Sequence, residues 1–291
     1  MFHQHFTRDL ERIIETISSD RPAFGFARFH DGEHAILRSR TYKAASGWQA
    51  DGARSWIREP LMAALTSSLP GFHIGISDIT TVPDAFNWYA RQTKAPRSRI
   101  TFATIFSYAN HGRSLRFFRG LADKAVFVGC TPYCQIRVPA NASMNKFDVD
   151  DVVDQMIDAD KPVFLAAGPA ACILVHRYWQ RTIDEPEHRH HVVDVGAAID
   201  PIVHGKDTRE FHKKTSRLRN FEPKWSARRG SVVDHAARAG ATVRQTTKAR
   251  EEEPRQRSAE YATPTKKEPR WAKAVSASNV RKTTNVRKRN G

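Results

Sequence analysis

The sequence predicts an α/β fold: a Rossmann-like, mostly parallel sheet with helices on both faces, followed by a basic C-terminal tail. Three observations predict it. Short apolar runs of strand length alternate with amphipathic stretches of helix length over residues 1–205, the pattern of a parallel sheet built from strand–helix–strand units. Charged residues recur just past the ends of those runs, at the edge where such sheets bind ligands. The charge is also divided: residues 206–291 hold 24 Lys and Arg against 9 Asp and Glu, a net of +15, whereas residues 1–205 hold 23 against 22.

Taken in order, residues 5–19 place Phe6, Leu10, Ile13, Ile14 and Ile17 at helical spacing, and Arg21-Pro22 ends that helix. Ala23 to Phe29 is a strand that delivers Asp31 and Glu33 to its C-terminal end. Residues 38–54 are polar and read as a loop over that end. Trp56 to Leu69 resumes helical spacing, Pro70-Gly71 stops it, and Phe72 to Ser77 is a second strand with Asp78 just beyond. Pro83 opens a helix through Lys94, proline being favoured at a first helical position. Ile100 to Ile105 and Ala125 to Gly129 are strands, with a helix around His111 to Leu121 between them, and Gln135 to Pro139 is a further short strand. Phe147 to Ala159 is a helix whose acidic first turn suits the helix dipole. Pro162 to Ala167 is a buried strand, Ala170 to about Arg181 a helix, and Val192 to Val195 the last strand, followed by Gly196 and Asp200.

This divides the chain into a folded body over residues 1–205 and a basic extension over 206–291. From Ser226 onward large apolar residues are few, so the extension reads as largely disordered, with one short helix over Val232 to Arg238. Its charge predicts a polyanion partner such as nucleic acid or an anionic membrane surface, and Trp225 and Trp271, set among basic residues, are candidates to stack on bases. No apolar run approaches the roughly 20 residues of a membrane span. Phe2 to Arg12 lacks the apolar core of a signal peptide. Three cysteines, Cys130, Cys134 and Cys172, complete neither a disulfide framework nor a zinc pattern. Together these predict a cytoplasmic protein, in the host cytoplasm if it is viral.

The stretch Ala27-Arg28-Phe29-His30-Asp31-Gly32-Glu33 sets two carboxylates two residues apart at a strand end. Buried carboxylates need a partner, and a divalent cation shared with phosphate oxygens is one; the alternative is a polar turn closing the strand. Leu165 to Ala171 is a strand, a Gly168-Pro169 turn and a helix start, where free amides suit phosphate; the alternative is an ordinary strand-to-helix connection. It is neither a P-loop nor a full dinucleotide fingerprint. His188, His190 and His191 invite a metal reading, but Arg189 and the flanking Glu185 and Glu187 favour a solvated loop. No Gly-x-Ser-x-Gly elbow is present.

Arg28-Phe29-His30-Asp31-Gly32-Glu33 resembles the Arg-Phe-Gly-Asp-Gly-Glu signature of GT-D-type glycosyltransferases. Ile74-Gly75-Ile76-Ser77-Asp78 is similar to that family's Ile-Gly-Ile-Pro-Asp strand end, Leu165 to Ala171 to its Gly-Pro turn, and Val193-Asp194-Val195-Gly196 to its Asp-Ile-Gly element. These run in the family's order over roughly residues 20–205. His30 and Ser77 depart from the pattern, as does Ala197-Ala198-Ile199-Asp200 after the last element. The resemblance implies a Rossmann-like sheet and transfer of a sugar from a nucleotide donor, a UDP-sugar first among them. It implies a divalent metal, Mn2+ or Mg2+, held by Asp31 and Glu33. Arg28, Gly32, Gly168 and Pro169 are then candidates for the donor phosphates, and Asp78, Asp194 and Asp200 for a general base. With the +15 extension, the expected acceptor is a hydroxymethylated pyrimidine in DNA, as in viral DNA hypermodification by a phage. The alternatives are a glycan, protein or lipid-linked acceptor, and a non-catalytic nucleic-acid-binding protein with a transferase-like fold.

Overall fold

Along each core strand successive residues go to opposite sides, and both sides are apolar. Phe26, Phe127, Phe164 and Val193 enter one core, with Phe6, Leu10 and Ile13 of the first helix and Phe118. Their neighbours Ala27, Val128, Leu165 and Val192 enter a second core, with Leu61, Tyr89, Val153 and Tyr178. A strand buried on both faces requires helices on both faces, which is the condition for an all-parallel sheet.

The computed structural model describes residues 2–43, 49–186, 189–205 and Trp225. The chain runs α1 (Phe6–Ile17), β1 (Gly25–Phe29), α2 (Asp31–Leu37), β2 (Thr41–Lys43), β3 (Gln49–Asp51), α3 (Arg58–Leu65), β4 (Phe72–Ile76), α4 (Pro83–Gln92), β5 (Ile100–Phe102) and α5 (His111–Gly120). It continues through β6 (Val126–Gly129), β7 (Ile136–Arg137), α6 (Val149–Asp158), β8 (Val163–Ala166), α7 (Ala170–Arg181), β9 (Val192–Asp194) and α8 (Asp200–Val203), with a 3-10 turn over Gly196–Ile199 before the last helix. Seven strands form one sheet in the order β5-β4-β1-β9-β8-β6-β7, and every neighbouring pair is parallel. The expected fold class is the observed one.

Asp31 and Glu33 lie past the end of β1 as expected, but in place of the alternative polar turn they form the first turn of α2, where Glu33 Oε2 accepts the His30 amide at 2.9 Å. A glutamate reaching back to the cap amide satisfies a donor that the helix start leaves open. The polar stretch after α2, expected as a loop, contains the antiparallel pair β2–β3, where alternation is too short to read from sequence. Among the described residues no helix is long and apolar enough to cross a membrane, and the three cysteines are free thiols. The extension, with Trp271 and the helix expected over Val232 to Arg238, lies outside the described residues except for Trp225. Trp225 is no exposed stacking platform: it is partly buried, edge-on to Phe86 at 5.3 Å and Phe102 at 5.4 Å. Aromatic packing of this kind outweighs exposure for so large an apolar ring.

The N-terminal edge of the sheet carries buried histidines. His73 stacks edge-on to Phe2 and Phe24, and its Nδ1 has no hydrogen-bond partner among the described residues. His191 is buried too, against Phe24 at 5.0 Å, so the expected solvated histidine loop holds only for His190, which meets Asp160 at 2.8 Å. His188 lies outside the described residues. Burial pushes His73 down to about 3 and both His176 and His191 down to about 4, with nearby positive charge adding to the effect. In the unfolded chain a histidine titrates near 6.5. Between about pH 6.5 and 4 the folded state therefore binds fewer protons than the unfolded one. This contribution to stability is full above pH 6.5 and is lost as pH falls. Replacing His73 with Phe keeps the ring packing and removes one such site. Urea unfolding should find His73→Phe stabilising by about 2 kcal/mol more at pH 5 than at pH 7.5; an equal effect at both pH values would contradict the burial of a neutral ring.

Candidate active site

Strand β1 leads outward to β4 and β5, whereas β9 is reached from β8 on the other side. β1 and β9 are nonetheless neighbours, paired at Gly25–Val192 and Phe26–Val193. The chain segments that leave their carboxyl ends diverge, and such a divergence opens the crevice where α/β sheets bind ligands. A cleft of about 590 Å³ stands there, lined among others by Arg28, Asp31, Glu33, Gly168, Pro169, Asp194 and Asp200. Seven of the nine predicted site residues thus meet in one place. Gly32 and Asp78 do not line it. Gly32 serves the first turn of α2, its amide donating to Asp31 Oδ1 at 2.9 Å. Asp78 accepts the amides of Thr80 and Thr81 and the Thr81 hydroxyl, at 3.0, 2.9 and 2.5 Å, which makes it the anchor of a turn.

The floor of the cleft is an ion pair between the two central strands. Arg28 Nη2 lies 3.1 Å from Asp194 Oδ1, with side-chain exposures of 18% and 4%, and Arg28 Nη1 donates to the Ala103 carbonyl at 3.0 Å. Arg28 Nε is buried without a hydrogen-bond partner among the described residues. The guanidinium fits only because residue 196 is glycine. Gly196 has φ +49, and a Cβ there would fall 1.8 Å from Arg28 Nη2. The Cys172 thiol donates to the Arg28 carbonyl at 3.0 Å, fixing β1 against α7.

The two carboxylates of α2 differ in state. Burial alone would raise Asp31, but the His30 ring at 2.8 Å, the Tyr42 hydroxyl at 2.7 Å and the Gly32 amide outweigh it, holding the carboxyl well below the usual range. Its side chain is 47% exposed and ionised. Glu33 is buried, which pushes it up to about 7, helped by the negative charges of Asp194 and Asp31 despite the bond from the His30 amide. Burial likewise raises Asp194, against the pull of Arg28. From α4, the Tyr89 hydroxyl donates to the His30 carbonyl at 2.7 Å and holds the β1–α2 junction. Gly168, at φ +57, turns the chain from β8 into α7, whose N-terminal end forms another wall.

The cleft also contains residues that sequence reasoning passed over: His30, Tyr42, Tyr108 and His204. Tyr42 comes from β2, and nothing in the sequence ties it to Asp31. Tyr108 adopts φ 53, in a turn held by Asn110, whose side-chain amide donates to the Phe6 and Ile105 carbonyls at 3.1 and 2.8 Å. A non-glycine residue in that region is a mark often found at functional sites. His204 could have been found, since it follows Asp200 by one helical turn.

No family model matches the chain, and none of the curated proteins matches it. Two solved structures are similar to it. Both are of domain of unknown function 1792, one in selenomethionine-substituted form and one described as having a distinct glycosyltransferase fold. They are 14% and 13% identical, each with a TM-score of 0.43, over 76% of this chain and 90% of theirs. At that level of identity and superposition the likeness carries no argument about chemistry, which rests on the cleft.

Among the described residues, no group of three or more His, Cys, Asp and Glu side chains stands ready to enclose a metal. Asp31 and Glu33 do suit an open site, in which one or two carboxylates hold a hard cation and ligand oxygens complete its shell. The charge inventory points the same way. Among the described residues that line the cleft, four carboxyl groups, those of Asp31, Glu33, Asp194 and Asp200, accompany one guanidinium, that of Arg28.

The Arg28–Asp194 pair should dominate the local energetics. Removing one partner of a buried pair costs about 3–5 kcal/mol, whereas replacing both with apolar groups costs far less. Asp194→Ala should lower stability in urea unfolding by that amount, and Arg28→Met/Asp194→Leu should recover most of the loss. A cost below about 1 kcal/mol for Asp194→Ala would mean that the pair is solvated.

Proposed function

We propose that this protein is a metal-dependent glycosyltransferase that moves a sugar from a nucleotide-sugar donor to an acceptor hydroxyl. The observation that carries this reading is the convergence in one cleft of Arg28, Asp31, Glu33, Gly168-Pro169 and Asp194, residues from three of the four segments that resemble the glycosyltransferase signatures. The fourth segment supports β4, and its Asp78 shapes a turn beside α4.

In this reading Asp31 and Glu33 hold a divalent cation, Mn2+ or Mg2+, which when bound neutralises the leaving diphosphate as a Lewis acid. Asp31 is suited to this by being ionised and half-exposed. Glu33 lies deeper, and its proton leaves readily when a cation is offered. Arg28 adds fixed positive charge under the cleft, and the N-terminal end of α7 turns its amides toward the diphosphate. Tyr42 and the His30 ring hold the Asp31 carboxylate in place, so that little reorganisation is needed when the donor arrives.

For the acceptor we propose a hydroxymethylated pyrimidine base in DNA. The support is the charge division, a near-neutral body joined to an extension of net +15, since phosphate backbones draw clustered Lys and Arg. A primary hydroxyl on such a base is a competent nucleophile for the anomeric carbon.

Donor binding is tested without knowing the sugar. UDP with MnCl2 should raise the unfolding midpoint by about 5 °C or more at a hundredfold excess over Kd, and Asp31→Asn should abolish the shift. No shift with UDP, GDP, dTDP or CDP and either metal would remove the donor assignment. For the acceptor, hydroxymethylated and plain DNA are incubated with a panel of nucleotide sugars and MnCl2 and digested to nucleosides. Mass spectrometry should find a hexose or pentose increment on the hydroxymethylated base alone. Transfer to a glycan or peptide with none to DNA would reassign the acceptor.

A further inference from the structure

A hydroxyl that attacks an anomeric carbon must lose its proton, and the cleft offers few groups able to take it. Asp78 is spent on three donors in its turn, outside the cleft. Asp194 is pinned by Arg28 and nearly inaccessible. Asp31 and Glu33 belong to the diphosphate end. Asp200 is buried, with 6% of its side chain exposed, but His204 stands in front of it. Both residues line the cleft, His204 is 35% exposed, and its Nε2 lies 3.9 Å from Asp200 Oδ1.

The scaffold that carries this pair is well held. The His204 amide donates to the Asp200 carbonyl at 2.7 Å, closing the turn. The carbonyl of the buried Val203 accepts the Thr131 hydroxyl at 2.6 Å, which ties α8 to the segment after β6. An imidazole backed by a buried carboxylate is the arrangement that orients a ring and stabilises the imidazolium it becomes. At 3.9 Å the two side chains are in ion-pair range without a hydrogen bond; catalytic contacts are often long before substrate arrives and tighten in the complex.

We infer that His204 is the general base of the transfer and Asp200 its positioning residue; the inference rests on the glycosyltransferase reading above. In the step, the acceptor O–H bond breaks and its proton passes to the His204 imidazole. The acceptor oxygen forms a bond to the anomeric carbon as the bond from that carbon to the diphosphate oxygen breaks. The electron pair of the broken bond leaves with the nucleoside diphosphate. The proton on His204 is then returned to solvent through the open cleft.

The test uses the full chain and the donor–acceptor pair that turns over best among UDP-, GDP-, dTDP- and CDP-sugars with hydroxymethylated DNA, plain DNA, oligosaccharides and peptides. His204→Gln should lower kcat by about 10²–10⁴-fold while keeping the thermal shift given by UDP and MnCl2, which shows that the variant is folded and binds. His204→Ala should regain activity when imidazole is added, a response that a structural role does not give. Asp200→Asn should lower kcat by about tenfold or more without changing the donor KM, and imidazole should not rescue it. A kcat for His204→Gln within about threefold of the unaltered protein, or a His204→Ala variant that imidazole leaves inactive, would overturn the assignment. If the unaltered protein transfers no sugar across the panel, the glycosyltransferase reading itself fails and this inference goes with it.

Discussion

The candidate site depends on one ion pair. Arg28 leaves β1 and Asp194 ends β9, and their contact joins the two strands whose chains diverge above the sheet. Three neighbours accommodate the guanidinium, although its Nε finds no partner among the described residues. The Ala103 carbonyl takes a second donor, Gly196 leaves room where any Cβ would collide, and Cys172 fastens the backbone behind. A buried ion pair seldom contributes much net stability, because desolvation offsets its attraction. Its value here is placement: it sets a fixed positive charge beneath carboxylates that would otherwise repel one another.

The same crowding explains why Asp31 and Glu33 differ although they are two residues apart. Asp31 faces the cleft and receives three hydrogen bonds, so it stays ionised. Glu33 is buried at the wall of the cleft, with its Oε2 on the His30 amide, and burial pushes it up to about 7. In the proposed function a divalent cation would relieve this repulsion, and the two carboxyl groups would meet it from different starting states.

Much of the fold was legible in the sequence because the sheet is buried on both sides. Continuous apolar runs such as Val163 to Ala166 can only be central strands when helices flank them, and each of the seven sheet strands falls within or near its expected run. Less legible was what local hydrogen bonding decides. The start of α2 at Asp31 depends on Glu33 reaching back to the His30 amide, and the three-residue ladder of β2–β3 is too short for its alternation to register. Site legibility follows the same division. Residues at strand ends converge because topology brings them there, so Arg28, Asp31, Glu33, Asp194 and Asp200 meet as expected. Tyr42, Tyr108 and His204 enter from the side, and Asp78 is drawn away by the amides of its own turn, a preference of Asp that sequence position does not reveal. The reverse error concerned Trp225, whose basic neighbours suggested stacking on a partner, while Phe86 and Phe102 supply its partners within the chain.

The proposed function requires this cleft to bind a nucleoside diphosphate together with a divalent cation. A crystal structure of the protein grown with UDP and MnCl2, with the manganese located by its anomalous scattering, tests this most directly. An anomalous peak is expected within about 2.5 Å of an Asp31 carboxylate oxygen, with diphosphate density against the Gly168-Pro169 turn. A manganese peak and diphosphate bound together elsewhere on the protein, with the cleft empty, would contradict it.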